Sequence, residues 1–350
     1  REFATMIEPE SRNGTISPGS VLIIQSGFLG DAVLASGMLR VIAASGANVR
    51  VGLVVRSEFG DLFAGHPALS ELHRFDKKRK GGTRELIDEI RARDYDAGLL
   101  PHRSLRSTYA IRRSGIRRRV GFRQSEAPFL LTDRVEYDIT RHETDRNAAL
   151  LQRIGINSRR ADRSPWLIPG AEALRSVRER MGDEMPFIAV APGSVWGTKR
   201  WNPSGFAAVI AGLRGRGLRV VMIGSGGERD LCRAIGREAG LDERDVLAGE
   251  LGLPELLAMI ALAERVISND SAPIHLAESV GTPVTAIFGP TVPEFGFAPR
   301  GEGSVALGIE GLPCRPCGIH GSNRCPIGTH ECMTSITPEV VLAASLADHV

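Results

Sequence analysis

Short apolar runs alternate with longer amphipathic segments along the first half of the chain. This alternation predicts strands and helices in turn, which is typical of a parallel sheet covered by helices on both faces. The predicted strands are VLIIQ, VRVGLVV and YDAGLLP, and the predicted helices are Asp31–Ala44, Thr83–Ala92 and Arg141–Ile154.

The same alternation resumes after a polar, proline-containing stretch, SRRADRSPWLIPGAEA, which is the best candidate for a linker. The predicted strands beyond it are FIAVAPG, LRVVMIG, RVISND and PVTAIFGPT; the predicted helices are PSGFAAVIAGLRGRG, ERDLCRAIGREAG, PELLAMIALA, SAPIHLAESVG and Pro338–Asp348.

We therefore predict an α/β protein with two doubly wound, Rossmann-like domains that face a central cleft. The expected boundaries are 16–165 for the N-terminal domain and 166–335 for the C-terminal domain. Residues 336–350 are expected to form a C-terminal helix that packs back on the N-terminal domain. In open α/β sheets, ligands bind where strands end at their carboxyl edges, so the residues just after strands are the informative ones.

Composition agrees with a globular protein of two domains. The chain has 350 residues, of which 42% are hydrophobic and 24% charged. No apolar run is long enough to span a membrane, and the stretch REFATMIEPESRNGT holds no apolar signal core. We expect a cytoplasmic protein whose cysteines are reduced.

The net charge of +3 is unevenly distributed. Residues 101–125 contain eight arginines and no acidic residue. Such a block indicates either an anionic partner or a solvated basic face.

The first candidate site is the turn after the first strand. Gly27 and Gly30 bracket it, and Asp31 follows at the start of a helix. A carboxylate here would repel a phosphate and offset the attraction of the helix dipole. Asp31 therefore either complements the dipole or acts as a general base at the rim of the cleft.

Polar residues follow two strands of the second half. Ser194, Thr198 and Lys199 offer hydroxyl and ammonium donors suited to phosphate, although an ordinary loop with an exposed lysine fits as well. Glu228 follows the glycine turn IGSGG and is able to accept hydrogen bonds from ribose hydroxyls. Glycine-rich turns of this kind are also common without a ligand.

The stretch SNDSAPIHLAESVGTP ends a strand and opens a helix. Free backbone N–H groups after Asp270 and Ser271 favour an anion, with His275 one turn into the helix. The alternative is that Asp270 or Ser271 only caps the helix and His275 is structural.

These stretches together carry a family resemblance. The matching pieces are GFLGDAVLASGMLR, YDAGLLPHRSLRS, GIRRRVGF, RHETDRNAALL, PGSVWGTKRWNPSGF, VISNDSAPIHLAESVGTPVTAIFGPT and the CRPC loop. With them the chain resembles the ADP-heptose:lipopolysaccharide heptosyltransferases of glycosyltransferase family 9, and most of all the heptosyltransferase II branch.

The resemblance implies a GT-B fold and an inverting, metal-independent transfer of heptose from ADP-heptose. The acceptor it implies is a hydroxyl of an anionic saccharide, the lipopolysaccharide inner core. Asp31 takes the place of the family's catalytic base and Lys199 that of its phosphate-contacting lysine. Donor-contacting positions fall on Ser194, Thr198, Lys199, Glu228, Asp270, Ser271, Ala272 and His275.

The resemblance also implies that the acceptor binds to the N-terminal half, where the basic block lies. Because PHRSLRS follows a strand, we expect His102, Arg103 and Arg106 to bind the anionic glycolipid acceptor. Partner expectations also include peripheral contact with the inner face of the cytoplasmic membrane, and no nucleic acid. No cofactor is expected to be required for catalysis.

The chain departs from the family pattern at Gly27-Phe28, at Ala35-Ser36-Gly37 and at Ala272. These positions lie on the acceptor side and at the donor turn. Three alternatives therefore remain: another nucleotide sugar, a non-lipid acceptor such as a protein or small molecule, or a non-catalytic protein that binds nucleotide sugars or polyanions.

Four of the five cysteines cluster in one loop, at Cys314, Cys317, Cys325 and Cys332. The spacing fits a structural zinc or iron site, although it is not a standard zinc spacing. Iron bound by four cysteines occurs in the related autotransporter heptosyltransferases. Reduced buried thiols and disulfides are the alternatives.

Overall fold

The structure is a computed structural model that describes residues 18–182 and 186–347. Two sheets, each parallel throughout, organise these residues. The first has the order β3-β2-β1-β4-β5-β6, and the second the order β11-β10-β9-β7-β8. The strands are β1 Ser20–Ile24, β2 Arg50–Arg56, β3 Glu71–Phe75, β4 Ala97–Leu100, β5 Arg118–Phe122, β6 Asp133–Val135, β7 Phe187–Ala191, β8 Arg219–Met222, β9 Arg265–Asn269, β10 Val284–Ile287 and β11 Val305–Leu307.

Helices connect the strands and cover both sheets. They are α1 Leu29–Ala35, α2 Gly37–Ala44, α3 Gly82–Arg93, α4 Leu105–Arg113, α5 Glu143–Arg153, α6 Ala171–Met181, α7 Pro203–Arg214, α8 Arg229–Glu238, α9 Leu253–Leu262, α10 Ala272–Val280, α11 Glu331–Thr334 and α12 Pro338–Ser345. No helix in the described ranges combines the length and apolar character that crossing a membrane requires.

The central strands are buried along their whole length, as parallel strands covered on both faces must be. All five residues of β1 and all five of β7 are buried. Each is also the strand at which its sheet changes direction, since β1 lies between β2 and β4 and β7 lies between β8 and β9. The carboxyl ends of β1 and β7 therefore mark the two places where ligands are expected to bind.

The predicted helix Asp31–Ala44 is in fact two helices, separated at Ser36. The Ser36 hydroxyl donates to the Val33 carbonyl and accepts a hydrogen bond from the Trp166 backbone N–H at 2.7 Å. The next residue, Gly37, leaves no room for a side chain, because a β-carbon there would lie 2.3 Å from the Arg163 carbonyl oxygen. The segment before α6 thus crosses directly over this break.

The C-terminal helix α12 corrects one expectation. It packs on α7 and β10 of the second sheet rather than on the N-terminal half. Val341 is fully buried there, and the Ser345 hydroxyl donates to Thr285 Oγ1 of β10 at 3.2 Å. The apolar face of α12 is therefore buried within the C-terminal half. Residues 16, 17, 183–185 and 348–350 of the predicted domains lie outside the described ranges, and the domain boundaries stay a prediction.

Contacts made by α1 and α5 help to fix how the halves meet. The start of α1 packs on the start of α10. On α5, Arg146 is 1% exposed and donates from Nη2 to the Phe295 carbonyl of the second half at 3.0 Å. Glu143, at the start of the same helix, pairs with Arg146 at 2.7 Å. These contacts hold the carboxyl edges of the two sheets on opposite sides of one cleft.

Candidate active site

The two halves approach closely where α1 meets α10. A β-carbon at Gly30 would lie 2.9 Å from His275 Cδ2 and 3.9 Å from Ala272 Cα. Only a glycine allows the two helix starts to approach this closely without displacement. The residue after Gly30 is Asp31, whose carboxylate lies within electrostatic range of Lys199 in the second half of the protein.

Asp31 is held in place by the backbone of its own turn. The Phe28 N–H donates to Asp31 Oδ2 at 3.1 Å, which caps the first turn of α1. Burial raises the pKa of Asp31, while the Phe28 hydrogen bond and the positive charges of Lys199 and Lys77 lower it in part. A carboxylate with a raised pKa is a stronger base than an exposed one. The dipole-complementing role and the base role are therefore compatible in one geometry.

Lys199 lies on the other side of the cleft, at the end of the short 3-10 turn Gly197–Lys199. Its ammonium Nζ is 2.6 Å from Asp270 Oδ2, and the Thr291 hydroxyl donates to the same oxygen at 2.6 Å. The side chains of Lys199 and Asp270 are only 12% and 7% exposed. Asp270 thus orients a nearly buried cation toward the cleft.

The N-terminus of α10 lies beside this pair. Asn269, at the end of β9, anchors it by donating from Nδ2 to the Pro192 carbonyl at 2.7 Å. The Ser271 hydroxyl donates to the Gly193 carbonyl at 3.3 Å. The Ser271 side chain makes no capping hydrogen bond, so the Ala272 N–H at the start of α10 stays available to an anion. Pro273 has no N–H, and the Ile274 N–H donates to the Ser271 carbonyl at 3.1 Å.

His275 is 5% exposed and reaches the same place from the first turn of α10. Burial lowers its pKa to about 4, with a further decrease from Lys199 that is opposed by Asp270. The ring is thus neutral near pH 7. Its Nδ1 has no hydrogen-bond partner within the described residues.

The remaining predicted donor residues differ in the contacts that their side chains already make within the protein. Ser194 is buried and accepts the Trp196 N–H at 3.4 Å. The Thr198 hydroxyl donates to the Ser322 carbonyl at 2.8 Å, so it is engaged by the loop of the cysteines. Glu228 accepts from the N–H and hydroxyl of Ser225 and reaches Gly193 with its other oxygen.

The predicted acceptor residues also differ in the contacts that their side chains already make within the protein. His102 Nδ1 donates to the Ile24 carbonyl at 3.2 Å, and Nε2 lies 3.1 Å from the Ser107 hydroxyl. Burial lowers the pKa of His102 to about 4, so this neutral ring links the ends of β1 and β4. Arg103 lies with its guanidinium 4.7 Å from the centre of the Tyr137 ring, and Arg106 donates from Nη1 to the Lys77 carbonyl at 3.1 Å.

Sequence reasoning missed Lys77. It follows β3 in the run DKKRK and is half-buried. Burial lowers its pKa, and so do the charges of Arg56 and Arg106, while Glu58 and Asp31 raise it. The signal was a lysine just after a strand, but β3 itself was not predicted.

The cysteine loop is clamped onto the Lys199 turn. His330 Nε2 donates to the Thr198 carbonyl at 2.8 Å, and a β-carbon at Gly321 would lie 3.2 Å from Lys199 Cγ. All five cysteines are free, so the disulfide alternative is wrong. In residues 18–182 and 186–347, no group of three or more His, Cys, Asp or Glu side chains is arranged to hold a metal ion. The expected metal site at Cys314, Cys317, Cys325 and Cys332 is therefore not found in this arrangement.

Comparison with known proteins finds relatives for this arrangement of two α/β halves around one cleft. The sequence profile of glycosyltransferase family 9 (heptosyltransferase) matches residues 83–322. The chain belongs to glycosyltransferase family 9. It is a glycosyltransferase, and the family resemblance seen in its sequence is confirmed.

Relatives match this glycosyltransferase along nearly its whole length. A lipooligosaccharide heptosyltransferase 2 of Haemophilus influenzae is 24% identical over 92% of this chain and 97% of its own. The crystal structure of a family 9 glycosyltransferase from Veillonella parvula superimposes with a TM-score of 0.81 at 20% identity, covering 94% of this chain and 96% of that one. The structure of Escherichia coli ADP-heptose lipopolysaccharide heptosyltransferase II gives 0.77 at 23% identity, covering 95% and 100%. The predicted GT-B fold is thereby confirmed.

Proposed function

We propose that this glycosyltransferase moves heptose from ADP-heptose to a hydroxyl of the lipopolysaccharide inner core, with inversion and without a metal. The observation that carries the proposal is the sorting of charge across the cleft. A carboxylate of raised pKa, Asp31, faces a nearly buried ammonium, Lys199, and the free N-terminus of α10.

Asp31 acts in this proposal as the general base. An acceptor hydroxyl that enters from the N-terminal half gives its proton to Asp31 as its oxygen attacks the anomeric carbon of the donor sugar. Attack from the face opposite the leaving phosphate inverts the configuration. The raised pKa of Asp31 suits this step because the base gains a proton as the new bond forms.

Lys199 and α10 stabilise the leaving ADP. Negative charge grows on a phosphate oxygen as the bond to the sugar breaks, and fixed donors in a nearly buried site stabilise that charge without reorganisation. Asp270 keeps the ammonium in place before the donor binds. A helix N-terminus and a lysine supply the positive charge that a metal ion supplies in other transferases, so EDTA is expected to leave the rate unchanged.

The acceptor side is basic without being neutralised. Lys77 lies within electrostatic range of Asp31, Arg106 donates to the Lys77 carbonyl, and Arg103 lies against Tyr137. No acidic side chain in the described part of the chain lies within ion-pair distance of these three cations. Carboxylates and phosphates of an inner-core saccharide match these cations.

The test is transfer with a panel of nucleotide sugars and acceptors. We expect ADP-heptose to be used in preference to ADP-glucose, UDP-glucose and GDP-mannose, and an inner-core acceptor in preference to neutral glycans. The anomeric configuration of the product, read by NMR, reports inversion, and a parallel assay with EDTA reports metal independence. A preference for another donor, retention of configuration, or loss of activity in EDTA would each overturn the corresponding part of the proposal.

A non-catalytic binding protein is the rival hypothesis. It predicts that donor binds and that no product forms with any acceptor. Thermal-shift measurements with the same nucleotide sugars report binding whether or not the ligand reacts. A thermal shift without product from any acceptor would support the rival, and a shift together with product would contradict it.

A further inference from the structure

One face of the helix α4 is exposed to solvent. Ser107, Thr108, Ala110 and Ile111 point into the N-terminal half and are buried. The opposite side carries two apolar and three basic residues at helical spacing. Together with the neighbouring Phe129 they form what we call the α4 face: Leu105, Arg106, Tyr109, Arg112, Arg113 and Phe129.

The apolar members of the α4 face are unusually exposed for their size. Leu105 is 51% exposed, Tyr109 47% and Phe129 73%. Scattered apolar side chains on a surface need no explanation, but three on adjoining elements, surrounded by arginines, form a patch. Phe129 belongs to the 3-10 turn Pro128–Leu130, which packs against α4.

The α4 face is rigid. Leu131, directly after the Phe129 turn, is buried in the same core cluster as Ile111 of α4. The guanidinium of Arg119 donates from Nε to the Leu130 carbonyl at 2.8 Å, which fixes the turn from the other side. The exposed side chains are therefore presented by a firmly packed scaffold.

The positive charge of the α4 face is not neutralised. Arg112 and Arg113 have no acidic partner within the described residues, and Arg119 beneath them donates only to carbonyl oxygens. Glu126 is nearby, and its carboxylate accepts the Leu105 N–H at 2.6 Å and so caps α4. Other arginines of the block are paired, Arg118 with Asp133 and Arg123 with Glu136.

We propose that the α4 face docks this protein on the surface of an anionic phospholipid bilayer. Arginines on a helix that also exposes leucine and aromatic side chains are the pattern of an interfacial membrane contact: the cations attract anionic headgroups and the apolar tips enter the boundary of the acyl chains. A solvated basic face would not need Leu105, Tyr109 and Phe129 exposed on it.

The position of the α4 face relates membrane docking to the proposed acceptor site. Arg106, at its first turn, donates to the Lys77 carbonyl, and Lys77 lies within electrostatic range of Asp31. The edge of the bilayer would thus lie next to the acceptor side of the cleft. Binding to lipid itself does not depend on the identity of donor or acceptor, so it is testable without the proposed reaction.

Co-sedimentation with vesicles tests the docking. The intact protein is expected to bind vesicles of phosphatidylethanolamine and phosphatidylglycerol, to bind vesicles of phosphatidylcholine alone much less, and to be released as salt rises. Arg112→Glu with Arg113→Glu should weaken binding by at least about 25-fold, about fivefold for each positive charge lost near the surface. Phe129→Ser should weaken it several-fold with no change in net charge.

Matched variants on the other half provide the controls. Arg175→Glu with Arg178→Glu changes the net charge equally on the exposed side of α6, and Val340→Ser removes an exposed apolar side chain of α12. These should bind vesicles like the wild type. The proposal is overturned if the wild type does not bind anionic vesicles, if it binds phosphatidylcholine equally well, or if the α4 and α6 variants behave alike.

Transfer assays separate this proposal from the proposed function. Toward a delipidated, soluble acceptor the α4-face double variant should keep wild-type rates, whereas toward the same acceptor in vesicles it should be slow. If the wild type transfers nothing to either acceptor, the proposed function fails while the vesicle measurement still decides the docking.

Discussion

Gly30 of the first half lies against His275 of the second, with room for no β-carbon between them. The contact brings Asp31 to the cleft. It also predicts what the methyl group of an alanine at position 30 would do. Gly30→Ala should stabilise the helix α1 by about 1 kcal/mol, because alanine has a higher helix propensity than glycine. The 2.9 Å approach to His275 Cδ2 should nevertheless force the helices apart and lower kcat/KM about 10-fold.

Steady-state kinetics and thermal unfolding check this prediction. Gly170→Ala is the matched control, since a β-carbon there meets nothing within 4 Å. In a His275→Ala background the effect of Gly30→Ala should shrink, because the opposing ring is gone. An equal loss in both backgrounds would show that the contact is not responsible.

Asp31→Asn keeps the shape of the side chain and removes the base. We expect kcat to fall about 10²–10⁴-fold with donor binding nearly unchanged. Since burial raises the pKa of Asp31 above the usual 3.8, wild-type kcat/KM should fall on acidification at a pH higher than for an ordinary aspartate. Asp230→Asn, on an exposed position of α8, is the control. Near-wild-type turnover of Asp31→Asn would remove the base from the mechanism.

Lys77→Met should act on Asp31 without touching the donor. The Lys77 charge lowers the pKa of Asp31, so its loss should raise that pKa and move the acidic limb of kcat/KM to higher pH. The acceptor KM should rise about 10-fold through the lost charged contact, with donor KM unchanged. Lys80→Met, exposed in the same loop, should change neither value. An unshifted acidic limb would contradict the coupling.

Lys199→Met should lower kcat/KM about 10²–10³-fold, the effect of losing one charge-stabilising donor. It also leaves the nearly buried Asp270 without its cation, which should cost about 3 kcal/mol of unfolding free energy. The double variant Lys199→Met with Asp270→Asn should recover stability and not activity. If activity returned together with stability, Lys199 would be a structural residue only.

Arg103→Ala should raise the KM for an anionic acceptor and leave donor affinity intact, because its guanidinium lies on the acceptor side against Tyr137. Rising salt should reproduce part of the loss by screening. Arg123→Ala is a control from the same basic block, since Arg123 is already paired with Glu136. Equal acceptor KM values for both variants, or a preference for an uncharged acceptor, would leave the lipopolysaccharide acceptor without its physical support.

The sequence by itself determined the alternation of strands and helices and the position of Asp31 and Asp270 just after strands. Buried parallel strands such as β1 and β7 are continuous apolar runs, so they are legible without a structure. The edge strand β3, ELHRF, is not such a run. Its His73 is buried only because Glu89 and Tyr95 from later elements satisfy both ring nitrogens.

The tertiary structure alone decided which of these residues meet. Asp31 and Lys199 are far apart in sequence, and only the docking of α1 on α10 sets them across one cleft. Tertiary packing also accounts for the hydrogen bond of Thr198 to the cysteine loop and for the packing of α12 on the second sheet. The physical reason is that a sequence pattern records whether a side chain is buried, whereas its partner is chosen by packing between elements distant in the chain.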